Sequence, residues 1–296
     1  MAVLWMGATI AAAALQVGRN ALQRGLMSRT GPWGATLVRF LFGLPFSLAF
    51  VAVAIALSHD LHPRFGWDFW WPALTGAAAQ VAATAALLMA MHRAGFAVGT
   101  ALQLSSVPLA AILGLAVFGD QLSAIGWAGV GLTTIGLAGL AWPRATGQIA
   151  HPVSGVVYGV ISGICFGFAL NGFRHAGLAL EPNHPFFAAM ASLTIVQAIQ
   201  AAVLGACLLA YDRPALVAVF AGWRESLGAG MCGGCASSGW FLALNLAPAA
   251  AVRSLGVIEM PIAALAGHRL FREGLSLRQG VGVLAVTIGV AMTAGL

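Results

Sequence analysis

The sequence predicts an all-α integral membrane protein whose ten transmembrane helices form two inverted five-helix repeats. The composition indicates a membrane protein. Of 296 residues, 60% are hydrophobic and 7% are charged, and the mean hydropathy is +0.92. A soluble domain has about 25% charged residues. The 14 basic and 8 acidic residues of this chain cannot cover a globule of its size. An internal repeat supplies the division into two sets of five.

Ten apolar runs are long enough to cross a bilayer, which takes about 20 residues each. They cover residues 3–22, 33–57, 70–91, 96–118, 123–142, 153–174, 185–210, 226–246, 249–271 and 277–295. The breaks contain turn residues, as in SRTGP (28–32) and LEPNHP (180–185). No basic residue precedes the first run, so we interpret it as a retained span and not as a signal peptide.

The second half of the chain repeats the first. Residues 94–141 align without a gap on 247–294, at a constant offset of 153, and 17 of the 48 positions are identical. Pro108 matches Pro261, and Asp120 matches the acidic Glu273. Repeats of this kind predict two structural halves, residues 1–147 and 148–296, within one membrane domain.

The first span of each half also matches, at an offset of 151. Small or polar residues four apart lie on one helix face, and the two series are Ala8, Ala12, Gln16, Asn20 and Gly159, Gly163, Gly167, Asn171. Together with Gly155, the glycines form a stripe that predicts close helix packing, inside the fold or in a homodimer. Five spans per half is an odd number, so the second half inserts upside down, as in the inverted repeats of secondary transporters.

Two paired stretches, VPLAAILGLAVFGDQLSAIGWAGVGLTTIGLA (107–138) and MPIAALAGHRLFREGLSLRQGVGVLAVTIGVA (260–291), resemble the drug/metabolite transporter superfamily of the EamA type. VRFLFG (38–43) resembles the second span of that family. The first repeat departs by having Asp120 where glutamate is usual. The resemblance implies a ten-span carrier of the bacterial-type inner membrane that moves small metabolites. We expect an exporter of a polar or amphipathic compound such as an amino acid, driven by protons or by exchange.

Glu259 is the acid that lies in the middle of a predicted span. Charged groups within the membrane are costly and mark functional sites. The carboxylate could bind a cationic group or couple to protons, or it could be a structural ion-pair partner. Pro108 and Pro261 predict helix kinks in the fourth and ninth spans, either for a substrate site or for packing alone.

Arg39 lies about six residues into the second span and could snorkel to the interface, pair with Glu259 or bind a substrate carboxylate. Arg253, near the start of the ninth span, is expected to be an interfacial anchor. The other candidates for lining a substrate cavity are polar or aromatic residues within spans, each of which could instead make an interhelical contact: Gln80, Thr84, Gln103, Ser106, Asn20, Asn171, Ser237 and Trp240.

Several functions are excluded by missing residues. The chain has no lysine, which excludes Schiff-base and P-loop chemistry. Cys232 and Cys235 form a C-x-x-C without a second ligand pair, so no metal and no cofactor is expected. The expected partners are a small-molecule substrate and the bilayer, and nucleic acid is not expected. A membrane-embedded enzyme or a scaffold that transports nothing are the alternatives, and we do not expect an enzyme.

The membrane orientation is left open by the sequence. Most arginines fall in the loops after odd-numbered spans, which places both termini outside by the positive-inside rule. The family resemblance implies that both termini are cytoplasmic.

Overall fold

The computed structural model describes residues 2–113, 115–116, 123–141, 153–271 and 277–294, and these residues are helical apart from short turns. In chain order the helices are α1 (Ala2–Leu41), α2 (Leu44–Leu57), α3 (Trp67–Ala94), α4 (Phe96–Gln103), α5 (Ser106–Leu113), α6 (Ala124–Ala141), α7 (Val153–Leu180), α8 (Pro185–Tyr211), α9 (Arg213–Ala221), α10 (Trp223–Leu246), α11 (Ala249–Leu255), α12 (Glu259–Phe271) and α13 (Leu277–Ala294).

Five helical segments are long and apolar enough to cross a membrane. They are Val3–Leu57, Trp67–Ala94, Val153–Leu180, Pro185–Tyr211 and Trp223–Leu246. Apolar helices of this length have no place in a water-soluble protein of ordinary composition, so the fold is that of a membrane protein. The all-α membrane class predicted from composition is therefore confirmed. Asp120 and Glu273 lie outside the described residues.

The chain reverses direction inside α1, at Gly31. This glycine has φ 65° and ψ 177°, a backbone conformation that L side chains rarely adopt, and Pro32 follows it. The amide of Gln23 donates to the carbonyl of Ala35 at 2.6 Å. In an unbroken helix these two residues would be about 18 Å apart, so α1 consists of two antiparallel arms. The first span therefore continues past residue 22, its predicted end, to this turn.

The described residues form two compact units, and each unit contains segments from both halves of the sequence. The first unit is Met1–Val81 with Ala169–Pro248, and the second unit is Ala82–Phe168 with Ala249–Leu296. The helices α3 and α7 contribute to both units. The compact units are thus not the two halves of the sequence, 1–147 and 148–296, whose relation as repeats stays a prediction.

In the first unit, α1 packs along α10, and α8 packs against α10, α2 and α1. Leu37 and Phe40 from the second arm of α1 meet Ala201, Leu204 and Leu208 from α8 in an apolar core. The side-chain amide of Gln197 in α8 also donates to the carbonyls of Arg39 and Phe40, at 3.3 and 3.0 Å. These contacts fix the end of α1 and the position of Arg39.

In the second unit, α6 and α13 pack together through a reciprocal contact. A methyl group at Gly136 would lie 2.8 Å from the backbone nitrogen of Val286, and one at Gly289 would lie 2.5 Å from that of Thr133. Gly136 aligns with Gly289, and Thr133 with Val286, at the offset of 153. The contact is therefore self-complementary, as at a two-fold axis.

Two further pairs of helices in the second unit follow the same correspondence. The helical path is interrupted between α4 and α5 at residues 104–105, and between α11 and α12 by a 3-10 turn, Gly256–Ile258. Residues 256–258 correspond to 103–105 at the offset of 153. The helix α4 packs on α12, and α11 packs on α5. Both interruptions thus lie at matching positions.

The predicted loops and the glycine stripe agree with the structure in most places. Turns lie at 58–66 and 181–184, where the sequence breaks predict them. A methyl group at Gly155 would lie 2.9 Å from the Ala94 Cβ, and one at Gly163 would lie 2.9 Å from the Ser106 nitrogen. The predicted close packing of the stripe is confirmed at these positions.

Candidate functional site

A buried charge cluster lies at the interrupted helices of the second unit. Arg253 in α11 donates from Nη2 to Oε1 of Glu259 at 2.9 Å, and from Nε to the Ser106 hydroxyl at 3.1 Å. The side chains of Arg253 and Glu259 are 3% and 0% exposed, and Ser106 is buried. A charged hydrogen bond gains strength where water is excluded. We call these three residues the Arg253 cluster.

The cluster joins two positions that correspond in the repeat. Ser106 is the first residue of α5, and Glu259 is the first residue of α12. A carboxylate in the first turn of a helix is favoured by the helix dipole. Arg253 contacts both side chains, so it links the two interrupted helices directly.

The interruption explains how Arg253 reaches Glu259. In a regular α-helix, residues six apart differ in direction by about 120°. The 3-10 turn of Gly256–Ile258 advances by about 120° per residue instead of about 100°, which reduces the difference to about 60°. The long arginine side chain spans the rest. The expectation that Arg253 is an interfacial anchor is wrong, because its side chain is buried and bonded.

Pro108 and Pro261 stand at the third position of α5 and α12, directly after the interruptions. Proline has no N–H, so it cannot bond the carbonyl four residues earlier. In α5 that carbonyl belongs to Leu104, and it accepts from the Val107 nitrogen at 2.9 Å instead. The change from an α-helical to a 3-10-type bond is the local form of the interruption.

Gln103 is the last residue of α4 and is 1% exposed. Its Oε1 has no hydrogen-bond partner among the residues that the structure describes. Buried acceptors without a partner are uncommon in folded proteins. Gln103 lies three residues before Ser106, at the same helix interruption.

A second polar cluster lies in the first unit, and its charged side chains are two arginines. Arg19 and Arg39 come from the two arms of α1, and both lie against Gly233 of α10: a methyl group there would be 3.2 Å from Arg19 Cδ and 3.5 Å from Arg39 Cγ. Arg19 donates to Oδ1 of Asn20 at 3.2 Å from Nε and 2.7 Å from Nη2. Arg39 reaches the Ser237 hydroxyl at 3.5 Å.

Four of these five residues have side chains that are almost fully buried. Arg19 is 0% exposed, Asn20 1%, Arg39 4% and Ser237 5%. We call Arg19, Asn20, Arg39 and Ser237 the two-arginine cluster. Arg39 also lies over the ring of Phe40, with 5.4 Å from its Cζ to the ring centroid. Arg39 is thus held inside the protein, and it does not extend to a membrane interface.

The remaining residues that the sequence predicts to line a substrate cavity are buried, but they belong to neither cluster. Gln80 in α3 accepts from the amide of Gln200 in α8 at 2.9 Å, and the same amide bonds the carbonyl of Ala77. This is an interhelical contact of the kind that the sequence left open for Gln80. Thr84, Asn171 and Trp240 are 1%, 1% and 6% exposed on α3, α7 and α10.

The sequence interpretation missed Arg19 and misjudged Arg253. Arg19 lies three residues before residue 22, the predicted end of the first span. Because the arm continues to Gly31, Arg19 is about 18 Å along the helix from the turn. The Gly31–Pro32 pair was the signal for the later end of the arm.

An apolar groove of about 630 Å³ lies between α3 and α8 in the first unit. Leu74, Val81, Val203 and Leu208 are among its lining residues. This lining suits hydrocarbon and offers little to orient a polar molecule. The two buried polar clusters are therefore better candidates for recognition.

Outside the spans, Glu181 organises the turn between α7 and α8. Its carboxylate accepts from the His62 nitrogen at 2.9 Å and from the Asn183 nitrogen at 3.3 Å. The hydrogen bond from His62 lowers the pKa of the Glu181 carboxyl, with further lowering from Asn183 and His184, against an opposing effect of burial. The 58–66 loop is tied to this turn.

No family model and no curated protein matches the chain. Solved structures do match it. One, described only as "Crystal structure of protein", has a TM-score of 0.60 and 17% sequence identity over 97% of this chain and 95% of that chain. At this identity the likeness concerns the fold alone.

Proposed function

We propose that the protein is a secondary transporter, with ten transmembrane spans in two inverted repeats, that moves a small polar or amphipathic metabolite by alternating access. The observation that carries the proposal is the Arg253 cluster at two matching helix interruptions. Interrupted helices with buried charge are the usual substrate and ion sites of membrane carriers. A packing kink alone needs no buried arginine and carboxylate.

Repeat architecture is supported by three features of the second unit. The bounds of α6 and α13 differ by 153 residues at both ends. Their contact is reciprocal at Gly136 and Gly289. The apolar core between the interrupted helices also pairs Leu104 with Val257 and Val107 with Met260, which match at the same offset. A fold with this internal two-fold correspondence suits a carrier that exchanges two related conformations.

The ten spans themselves are supported by the reversal inside α1. The segment Val3–Leu57 would be about 80 Å long if straight, against about 30 Å of hydrocarbon. Because its chain reverses at Gly31, the segment fits two crossings. The resemblance of residues 107–138 and 260–291 to the EamA-type transporters supports the same class and a bacterial-type inner membrane.

In this proposal Glu259 is the coupling residue. While Arg253 holds it, the carboxylate is compensated within the protein. A proton or a cationic group of the substrate that takes the place of Arg253 at the carboxylate would release the link between α11 and α12. The transporter would thus change conformation only when the carboxylate is occupied.

The first prediction tests this role by transport. We expect Glu259→Gln to abolish flux of amino acids and related polar solutes into or out of proteoliposomes under a proton gradient or in exchange, while the protein still inserts. Glu225→Gln is the matched control, because Glu225 pairs with Arg29 at an exposed position. We expect this control to transport as the wild type does.

Two results would contradict the proposal. Wild-type flux and pH profile in Glu259→Gln would remove Glu259 from the mechanism. If the wild type moved none of the solutes, transport itself would be wrong, and chemical conversion of a solute would favour the membrane-embedded enzyme instead.

A further inference from the structure

The side-chain stems of two buried arginines lie against one glycine in the first unit. Arg19 comes from the first arm of α1, Arg39 comes from the second arm, and α10 supplies Gly233 between their stems. The two arginines act on each other as like charges. The reversal at Gly31 is what places them together, although they are 20 residues apart in sequence.

The groups that the cluster offers are predominantly donors. A guanidinium has five N–H donors and no acceptor. The Oδ1 of Asn20 already accepts two bonds from Arg19. The Nδ2 of Asn20, on a side chain that is 1% exposed, has no hydrogen-bond partner among the described residues. Buried donors of this kind normally have acceptors.

An anionic oxygen group fits these donors and this charge. Carboxylate and phosphate oxygens accept several bonds at once, and they bind guanidinium groups in the two-pronged manner that suits arginine. A negative charge beside two buried arginines also removes their mutual repulsion. A cationic or apolar group would do neither.

We propose that Arg19, Arg39 and Asn20 bind an anionic oxygen group, a carboxylate or a phosphate, of the transported molecule. This inference rests on the proposed transport function, and it names the chemical class of one end of the substrate. Gly233 belongs to the site as a spacer, because its missing side chain leaves room for both arginine stems. Helix movements in an alternating-access cycle give the buried group its access.

The test is thermal unfolding of the purified full-length protein in detergent, with succinate or inorganic phosphate added and with chloride at matched ionic strength as the reference. A ligand that binds the native state raises the unfolding temperature. We expect succinate, phosphate or both to raise the unfolding temperature above the chloride reference. Comparing the two anions shows whether the site prefers a carboxylate or a phosphate. The apparent Kd should increase about tenfold or more in Arg39→Gln and less in Arg39→Lys, which keeps the charge.

A second variant tests the site without any ligand. Asn20→Asp places an anionic oxygen where the unpartnered amide lies, so we expect a higher unfolding temperature and no further rise with succinate or phosphate. Asn245→Asp is the matched control, because the buried Asn245 amide already donates to the Phe241 carbonyl at 2.9 Å. That control should unfold at a lower temperature than the wild type.

The outcomes separate the site from the transport function. If Asn20→Asp unfolds earlier, as Asn245→Asp does, or if the anions act no differently from chloride, the site is wrong. If the wild type binds anions, Arg39→Gln weakens that binding and no solute is transported, the anion site is supported and the transport function is wrong. If the wild type binds no anion, and Arg39→Gln and Asn20→Asp transport as the wild type does, the transport function is supported and the anion site is wrong.

Discussion

The two units bury arginine in two different ways. In the second unit, Arg253 is compensated by Glu259 at 2.9 Å, six residues further along the same chain segment. In the first unit, the stems of Arg19 and Arg39, from the two arms of α1, lie against the same residue of α10, Gly233. The first arrangement pairs opposite charges, and the second brings two side chains of like charge to one glycine. The few charged residues of this chain are therefore not equivalent, even where they are equally buried.

The largest expected effect breaks the closed pair. Replacing Glu259 by Met leaves the Arg253 guanidinium buried without this carboxylate, and loss of one partner of a buried pair destabilises by about 3–5 kcal/mol. We expect Arg253→Met/Glu259→Met to recover most of that loss, because no uncompensated charge remains. Thermal unfolding in detergent measures both, and flux should be absent from both variants.

If the double variant is as unstable as Glu259→Met, the pair is not a unit of charge compensation. If it transports normally, the pair serves the fold alone. Either result would remove the distinction drawn between the two units.

A smaller effect is expected at the two-arginine cluster. Arg39→Gln loses the long bond to Ser237, and a hydrogen bond contributes about 1 kcal/mol. It also removes the repulsion from Arg19, which offsets the loss. We therefore expect Arg39→Gln to unfold closer to the wild-type temperature than Glu259→Met does. A loss as large as that of Glu259→Met would contradict this ranking.

The smallest effect is expected at Glu181, whose carboxylate lies in a turn outside the membrane-spanning helices. Because the folded-state pKa of Glu181 is lowered, its ionised carboxylate stabilises the turn at neutral pH, and this contribution is lost as the pH falls through the folded-state pKa. We expect faster amide exchange at His62 and Asn183 in Glu181→Gln at neutral pH. Below both pKa values, wild type and variant should exchange alike, and a difference that persists there would assign the effect to packing.

The hydrophobic pattern predicted most of the helices and most of their ends, but not α9 (Arg213–Ala221), which lies between the predicted spans 185–210 and 226–246. The turns at 58–66 and 181–184 follow directly from clusters of Pro, Asn, Asp and Gly in apolar sequence. The length of the first arm did not follow, because residues 23–30 are less apolar and yet remain helical up to Gly31. Helix continuation there depends on tertiary packing against α10, which a local pattern does not contain.

The sequence predicted charged residues of the candidate site, but it did not predict which of them pair. Glu259 and Arg39 stand out because few charges lie within apolar runs. The partner of Glu259 is Arg253, which regular helical spacing would place on another face. Only the 3-10 turn between them brings the two side chains together. Pairing that depends on an irregular turn is invisible to periodicity.

The reciprocal contact of Gly136 and Gly289 has a consequence for how the sequence can change. Two identical half-length chains that met in this way would carry the same residue at both of the positions now held by Ser106 and Glu259. The same would hold for the positions of Thr100 and Arg253, so every arginine and every carboxylate would occur twice. A continuous polypeptide escapes this constraint, because each position mutates independently. A pair formed by Arg253 and Glu259 at one of two matching positions is an asymmetry that a homodimer of identical halves could not carry.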